Sequence, residues 1–189
     1  MKLKATFLTL AIGFSIAAVN AQSIPEGYTK ATITLANGTA QTGFIKDNIK
    51  RSASVTFMDE SGNNKKVYEG AEINGVKTDA ATFTCINGDF FKTICTGKLC
   101  FIQKSSNAAG KASYNGTEAV FNSGTEGKIG DYFIYADKKL KLLNKKTVAS
   151  FISTDLANCA AAVEKAKTIN GDIAKLQEAV EIYNSYTVK

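Results

Sequence analysis

The chain has 189 residues, a formal charge of +6, a single proline, and neither histidine nor tryptophan. Without histidine, Ser-His-Asp and Cys-His nucleophiles, His-ligated zinc hydrolysis and the usual general base near neutral pH are excluded. Arg51 is the only arginine, so the guanidinium forks with which nucleic-acid readers hold phosphates and guanines are missing, and no nucleic-acid partner is expected.

Lys2 and Lys4 precede an uncharged apolar stretch over residues 7–19, and Val19-Asn20-Ala21 follows with small residues at the end. This is the order of a secretory signal peptide, cleaved near Ala21. The stretch falls short of the roughly 20 residues a membrane span needs. No later segment is long and apolar enough to span. The protein is therefore expected to be exported, periplasmic or extracellular, with residues 22–189 as its folded part.

The expected elements after Pro25 are mostly strands. Residues 30–36 alternate threonine with apolar side chains, Asn37-Gly38 signals a type I′ hairpin, and residues 39–46 return with Gly43 as a candidate bulge. Strands follow over 54–58 and 66–68, and Ile73-Asn74-Gly75-Val76 reads as a turn into a fifth. A soft boundary near Asp79 separates this small-barrel-like meander, residues 22–79, from residues 80–189. Residues 81–86 and 90–95 flank the turn Asn87-Gly88, residues 99–104 follow across Gly97-Lys98, 119–122 is a weak strand, and 131–136 and 140–143 form a last hairpin. Lys138, Lys139, Lys141, Lys145 and Lys146 read as guards of an edge strand. From Thr147 the period changes. Leu156, Cys159, Ala160, Val163 and Ala166 fall on one helical face, capped by Ser153 or Thr154. Asn170-Gly171 stops this helix and Asp172 opens a second, with Ile173, Leu176, Val180 and Tyr183 on one side. The fold class is α+β: an antiparallel β-meander of small barrel-like sheets followed by two C-terminal helices.

The four cysteines, Cys85, Cys95, Cys100 and Cys159, suggest two disulfides in an exported chain. Three connectivities are open. A two-residue turn at Gly97-Lys98 would set Cys95 opposite Cys100 at a non-hydrogen-bonded position, about 4.5 Å between Cα atoms. Cys85–Cys159 would then be the second bridge. In the chain-entropy model these contribute about 2 and about 4.5 kcal/mol. The competing reading is free thiols. The spacing does not fit a zinc site and no C-x-x-C motif is present.

No catalytic group, cofactor or metal is expected. Asp59/Glu60 and Glu69/Glu72 are the candidate carboxylate pairs, and solvated turn residues are their simpler reading. Gly124-Thr125-Glu126-Gly127-Lys128 has the look of a phosphate loop but lacks its spacing, with Ile129 where Ser or Thr should follow the lysine. Asn37-Gly38-Thr39 and Asn115-Gly116-Thr117 match glycosylation sequons and read as turns. Phe90, Phe91, Phe101, Tyr132 and Tyr135 are candidates for a binding face, against core packing as the alternative.

Residues 28–43, Gly97-Lys98-Leu99 with Phe101, Tyr132-Phe133-Ile134, and residues 151–184 ending Ile182-Tyr183-Asn184 resemble corresponding parts of a family of uncharacterised exported proteins of the Bacteroidetes group. That pattern carries an aromatic where Cys100 stands here. The resemblance implies fold and compartment and no activity. The expected function is thus a non-enzymatic binding or structural module of the cell envelope, with an envelope protein or glycan as partner. A carboxylate-based hydrolase acting on envelope polymers and a subunit of an envelope assembly are the alternatives.

Overall fold

The computed structural model describes residues 24–114 and 119–186. The signal-peptide segment and the Asn115 sequon lie outside them. Strands β1 (Thr29–Leu35), β2 (Ala40–Asp47), β3 (Ser54–Asp59), β4 (Lys65–Glu69), β5 (Ile73–Thr78), β6 (Thr82–Ile86), β7 (Asp89–Cys95), β8 (Cys100–Lys104), β11 (Tyr132–Ala136) and β12 (Lys139–Leu143) form one ten-stranded antiparallel sheet. Its order is β12-β11-β8-β7-β6-β5-β1-β2-β3-β4. Strands β9 (Ala112–Tyr114) and β10 (Ala119–Phe121) pair separately. The helices are α1 (Ile49–Ser52), α2 (Val148–Thr154), α3 (Ala160–Lys167) and α4 (Leu176–Ser185), the last entered by a 3-10 turn at Ile173–Lys175. The α+β meander expected from the alternation pattern is the architecture found.

One sheet face carries two apolar clusters. The first gathers Ile33, Ile45, Val55, Tyr68 and Val76, one from each of β1–β5, together with Phe90. A single cluster fed by all five strands means that this end of the sheet curls round its own core. A bridge between Gly70 and Gly88 ties the β4–β5 turn to the β6–β7 turn. The sheet stays hydrogen-bonded across Asp79, with Val76 opposite Phe83 and Lys77 opposite Thr82. The second cluster joins Phe101 and Ile134 to Phe151, Leu156, Leu176 and Val180, so the helices cover the C-terminal half of the same face. On the opposite face Phe91, Ile102 and Phe133 form a smaller cluster.

Several local expectations are corrected. Asn87 and Gly88 both take positive φ (48° and 82°), as a type I′ turn requires. At Asn37-Gly38 only Gly38 does. There Gly38 N–H donates to Leu35 O, and the Asn37 side chain accepts from Thr39 N–H, giving a longer turn. Asn74-Gly75 is not a turn but lies inside β5, where Asn74 Nδ2 donates to the carbonyls of Leu35 and Ala36. Gly43 is not bulged, since β2 pairs without a break on both sides.

The expected first C-terminal helix is two. Leu156 and Cys159 fall on the connection between α2 and α3, yet both are buried. Residues three apart can pack into one core from a loop as well as from a helix, so spacing alone could not separate the cases. Ser153 and Thr154, expected as a cap, form the last turn of α2, where Thr154 Oγ1 donates back to Ser150 O, and α3 starts only after the extended Cys159. Positive φ at Asn170 and Gly171 makes the predicted stop, and Asp172 Oδ1 accepts from Ala174 N–H at the predicted start.

The hairpin between β7 and β8 also differs. Its register shifts between Thr93 and Cys95, and Cys95 stands opposite Phe101 rather than Cys100. The bulge places Cys95 against the helix-covered cluster and Cys100 against the cluster on the other face. Cys85 packs with the curled end and Cys159 with the helices. All four thiols are free in the structure.

Candidate functional site

The aromatic residues singled out from the sequence are divided by burial. Phe90, Phe91 and Phe101 are wholly inaccessible and are core side chains, not a ligand platform. Phe90 and Phe91, adjacent in β7, point to opposite faces of the sheet, and both faces prove to be covered. Tyr132, half-buried, stacks on Phe101 with ring centroids 5.3 Å apart and planes 17° apart. Tyr135 lies half-buried against the opposite cluster. They do not converge on a common site.

Beside Phe91 lies a charged pair that sequence reasoning missed. Lys104 Nζ is 3.1 Å from Asp89 Oδ2, with 1% and 0% of the two side chains exposed. The ammonium also donates to the carbonyls of Thr125 (2.6 Å), Glu126 (3.1 Å) and Gly127 (3.3 Å). Asp89 accepts from Ala108 N–H, Thr125 N–H and the Thr125 hydroxyl. The pair therefore staples the 105–131 excursion to β7 and β8, with every group satisfied. The glycine-flanked segment at 124–128 turns carbonyl oxygens toward a buried cation, the opposite polarity to a phosphate cradle. The available signal was an Asp opening an aromatic strand, where strand propensity disfavours it.

The open mouth of the curled sheet is a concave surface of about 740 Å³. Alternation along β3 and β4 brings Phe57, Asp59, Lys66 and Tyr68 to one face, and Gln41 of β2 joins them. Phe57 and Tyr68 meet edge to face at 6.2 Å and floor the mouth. Gly43 makes this possible, because a Cβ there would lie 2.8 Å from the Phe57 ring and 2.3 Å from Met58 O. The Tyr68 hydroxyl donates to Gln41 Oε1 at 3.5 Å. Lys66 Nζ sits 4.3 Å from the Tyr68 ring centroid and 3.4 Å from Glu72 Oε1, so the cation is held over the aromatic floor.

Asp59 closes the rim. Ser61 Oγ donates to Asp59 Oδ1 at 2.6 Å, Asn64 Nδ2 donates to Oδ2, and Asn63 N–H adds a third bond at 3.2 Å. These donors, led by the Ser61 hydroxyl and the Asn64 amide, lower its pKa to about 2. Asp59 is thus a fixed anion that organises the 59–64 turn. Of the other candidate carboxylates, Glu72 accepts from Glu69 N–H and pairs with Lys66. Among the described residues no cluster of three Cys, Asp or Glu side chains is placed to hold a metal ion, and no helix is long and apolar enough to cross a membrane. Gln41, Lys66 and Tyr68 were not singled out from the sequence; strand alternation would have grouped them once the pairing of β2, β3 and β4 was known.

The β7–β8 hairpin and the end of α4, far apart in sequence, meet in space. Asn184 Oδ1 accepts from Leu99 N–H, and its Nδ2 donates to Leu99 O and Thr96 O. Lys98 Nζ donates to Tyr186 O. The end of α4 is thereby latched into the β7–β8 hairpin. Compared with family profiles, curated proteins and solved structures, the chain gives no match in any of the three.

Proposed function

We propose that the protein is an exported binding module of the cell envelope and that its ligand seats in the mouth of the curled sheet. The observation that carries this reading is the convergence of hydrogen-bonding side chains with Lys66 above the aromatic floor of Phe57 and Tyr68. Such a lining offers donors, acceptors and an apolar surface together, the composition of a site for a polar ligand such as a glycan. The sequence order of the first 21 residues supports export.

The hydrolase alternative needs a carboxylic acid whose pKa is raised so that it can donate a proton. Asp59, one of its named candidates, is shifted the opposite way. The assembly-subunit alternative needs a contiguous apolar patch. Among the described residues the exposed large apolar side chains are Ile24, Val67, Phe121, Ile129 and Tyr186, and no two of them are paired across strands. Calorimetric titration with a panel of defined envelope saccharides and peptides tests the binding reading. A saturable ligand lost in Lys66→Met and Tyr68→Leu supports it. Binding unaffected by either change, or no saturable ligand in the panel, contradicts it.

A further inference from the structure

The outer face of the curled end carries a second feature, separate from the mouth. Ala31, Ile33, Ile45 and Val76 point into the core, so their neighbours Lys30, Thr32, Lys46 and Lys77 point outward. Register fixes their positions. Thr42, Thr32, Lys77 and Thr82 form one row across β2, β1, β5 and β6. Phe44 and Lys30 form the next row, and Lys46 lies one row further along β2. Lys46, Lys30 and Lys77 therefore run diagonally over three adjacent strands. With strands about 4.8 Å apart and two residues rising about 6.8 Å, successive lysines are about 8 Å apart at Cα.

All three lysines are exposed, and among the described residues none of them makes an ion pair. The diagonal borders two shallow depressions of about 180 and 520 Å³. Hydroxyls of Thr32, Thr34, Thr82 and Thr84 line them, and Asp79 at one rim is their only carboxylate. Unpaired cations in a line are not needed to hold a sheet together, and nearby like charges weaken it slightly. They do match a linear polyanion, whose charges repeat along one axis.

The geometry points to a second ligand: an acidic polysaccharide, bearing carboxylates or sulfates, lying along the Lys46–Lys30–Lys77 diagonal. The lysines meet its charges and the threonine hydroxyls meet its sugar hydroxyls. The face favours a glycan over nucleic acid. It carries lysines without an arginine fork and offers no series of rings on which bases could stack, because Phe44 is buried and Tyr28 lies under Lys65 at 5.9 Å.

The test is titration of the processed protein with an alginate oligomer, a linear polyuronate, at low and at physiological salt. The variant Lys30→Gln/Lys46→Gln/Lys77→Gln is compared with Lys139→Gln/Lys145→Gln/Lys146→Gln, which removes the same charge elsewhere. Expected is at least a tenfold loss in the first variant, less than a threefold loss in the second, and weakening with salt in the wild type. Lys66→Met in the mouth leaves the affinity unchanged, so this test and that of the mouth fail independently. Equal losses in the two triple variants, or no binding at low salt, overturn the inference. So does tighter binding of a single-stranded oligonucleotide of equal charge.

Discussion

Replacing Lys104 by methionine should destabilise the protein more than any surface change. The substitution keeps the length of the side chain and removes the ammonium. Asp89 then retains its backbone and hydroxyl donors but loses its counter-charge, while the carbonyls of Thr125, Glu126 and Gly127 lose their shared donor. Breaking one side of a buried ion pair costs about 3–5 kcal/mol, a large part of the roughly 5–15 kcal/mol of a typical domain. For a chain of this size each kcal/mol shifts Tm by about 2–4 °C, so a fall of about 10 °C is expected. Removing both charges together, in Asp89→Leu/Lys104→Met, should cost less than the sum of the two single changes, because no uncompensated charge remains. Urea and thermal unfolding followed by circular dichroism measure both effects. A Lys104→Met variant within 1 kcal/mol of wild type, or a double variant with strictly additive cost, would refute the view that the pair is a closed, desolvated staple.

Further expectations concern the latch, the thiols and the rim. Asn184→Ala removes three hydrogen bonds between α4 and the hairpin and should cost about 1–3 kcal/mol; Gly97→Ala, whose Cβ would lie 2.3 Å from the Asn184 side chain, should act in the same direction by displacing it. Hydrogen exchange of the Leu99 amide reads both, and unchanged protection would dismiss the latch. Burial, helped by the nearby Asp89 charge, pushes the Cys85 thiol up to about 12, and burial also raises Cys95. Reduced protein at pH 8 should therefore alkylate at Cys85 far more slowly than an unfolded control, and equal rates would contradict the packing. Asp59 binds its proton less readily folded than unfolded, so the order it gives the 59–64 turn is complete above about pH 4 and is lost as the pH falls toward 2. The Asn64 side-chain amide resonances should move over that window, and a midpoint near the ordinary value of 3.8 would rule out the three-donor cradle.

Much of the fold was legible because the sheet writes its own period. Ile33 and Leu35 alternate with Thr32 and Thr34, and that alternation gave both the first strand and its inward face. Asn87-Gly88 and Asn170-Gly171 were read correctly since positive φ is what those pairs supply. Asn74-Gly75 misled for the same reason: the pair is also tolerated within a strand, where neighbouring strand backbone, the Phe83 carbonyl, would lie 2.6 Å from a Cβ at Gly75. The bulge beyond Thr93 was invisible, because a register shift depends on what packs on each face and not on the turn alone. It moved Cys95 away from its expected partner. The mouth and the lysine diagonal were hidden for a further reason. Both are made of ordinary polar residues far apart in sequence, and only the pairing of β2 with β3 and of β1 with β5 brings them together.

The central claim is that ligand enters the mouth of the curled sheet, and amide chemical-shift mapping during titration with a bound saccharide or peptide tests it most directly. The account predicts saturable shifts concentrated at residues 41–43 and 57–68. Saturable shifts confined to the helical half, with the mouth silent, would contradict it.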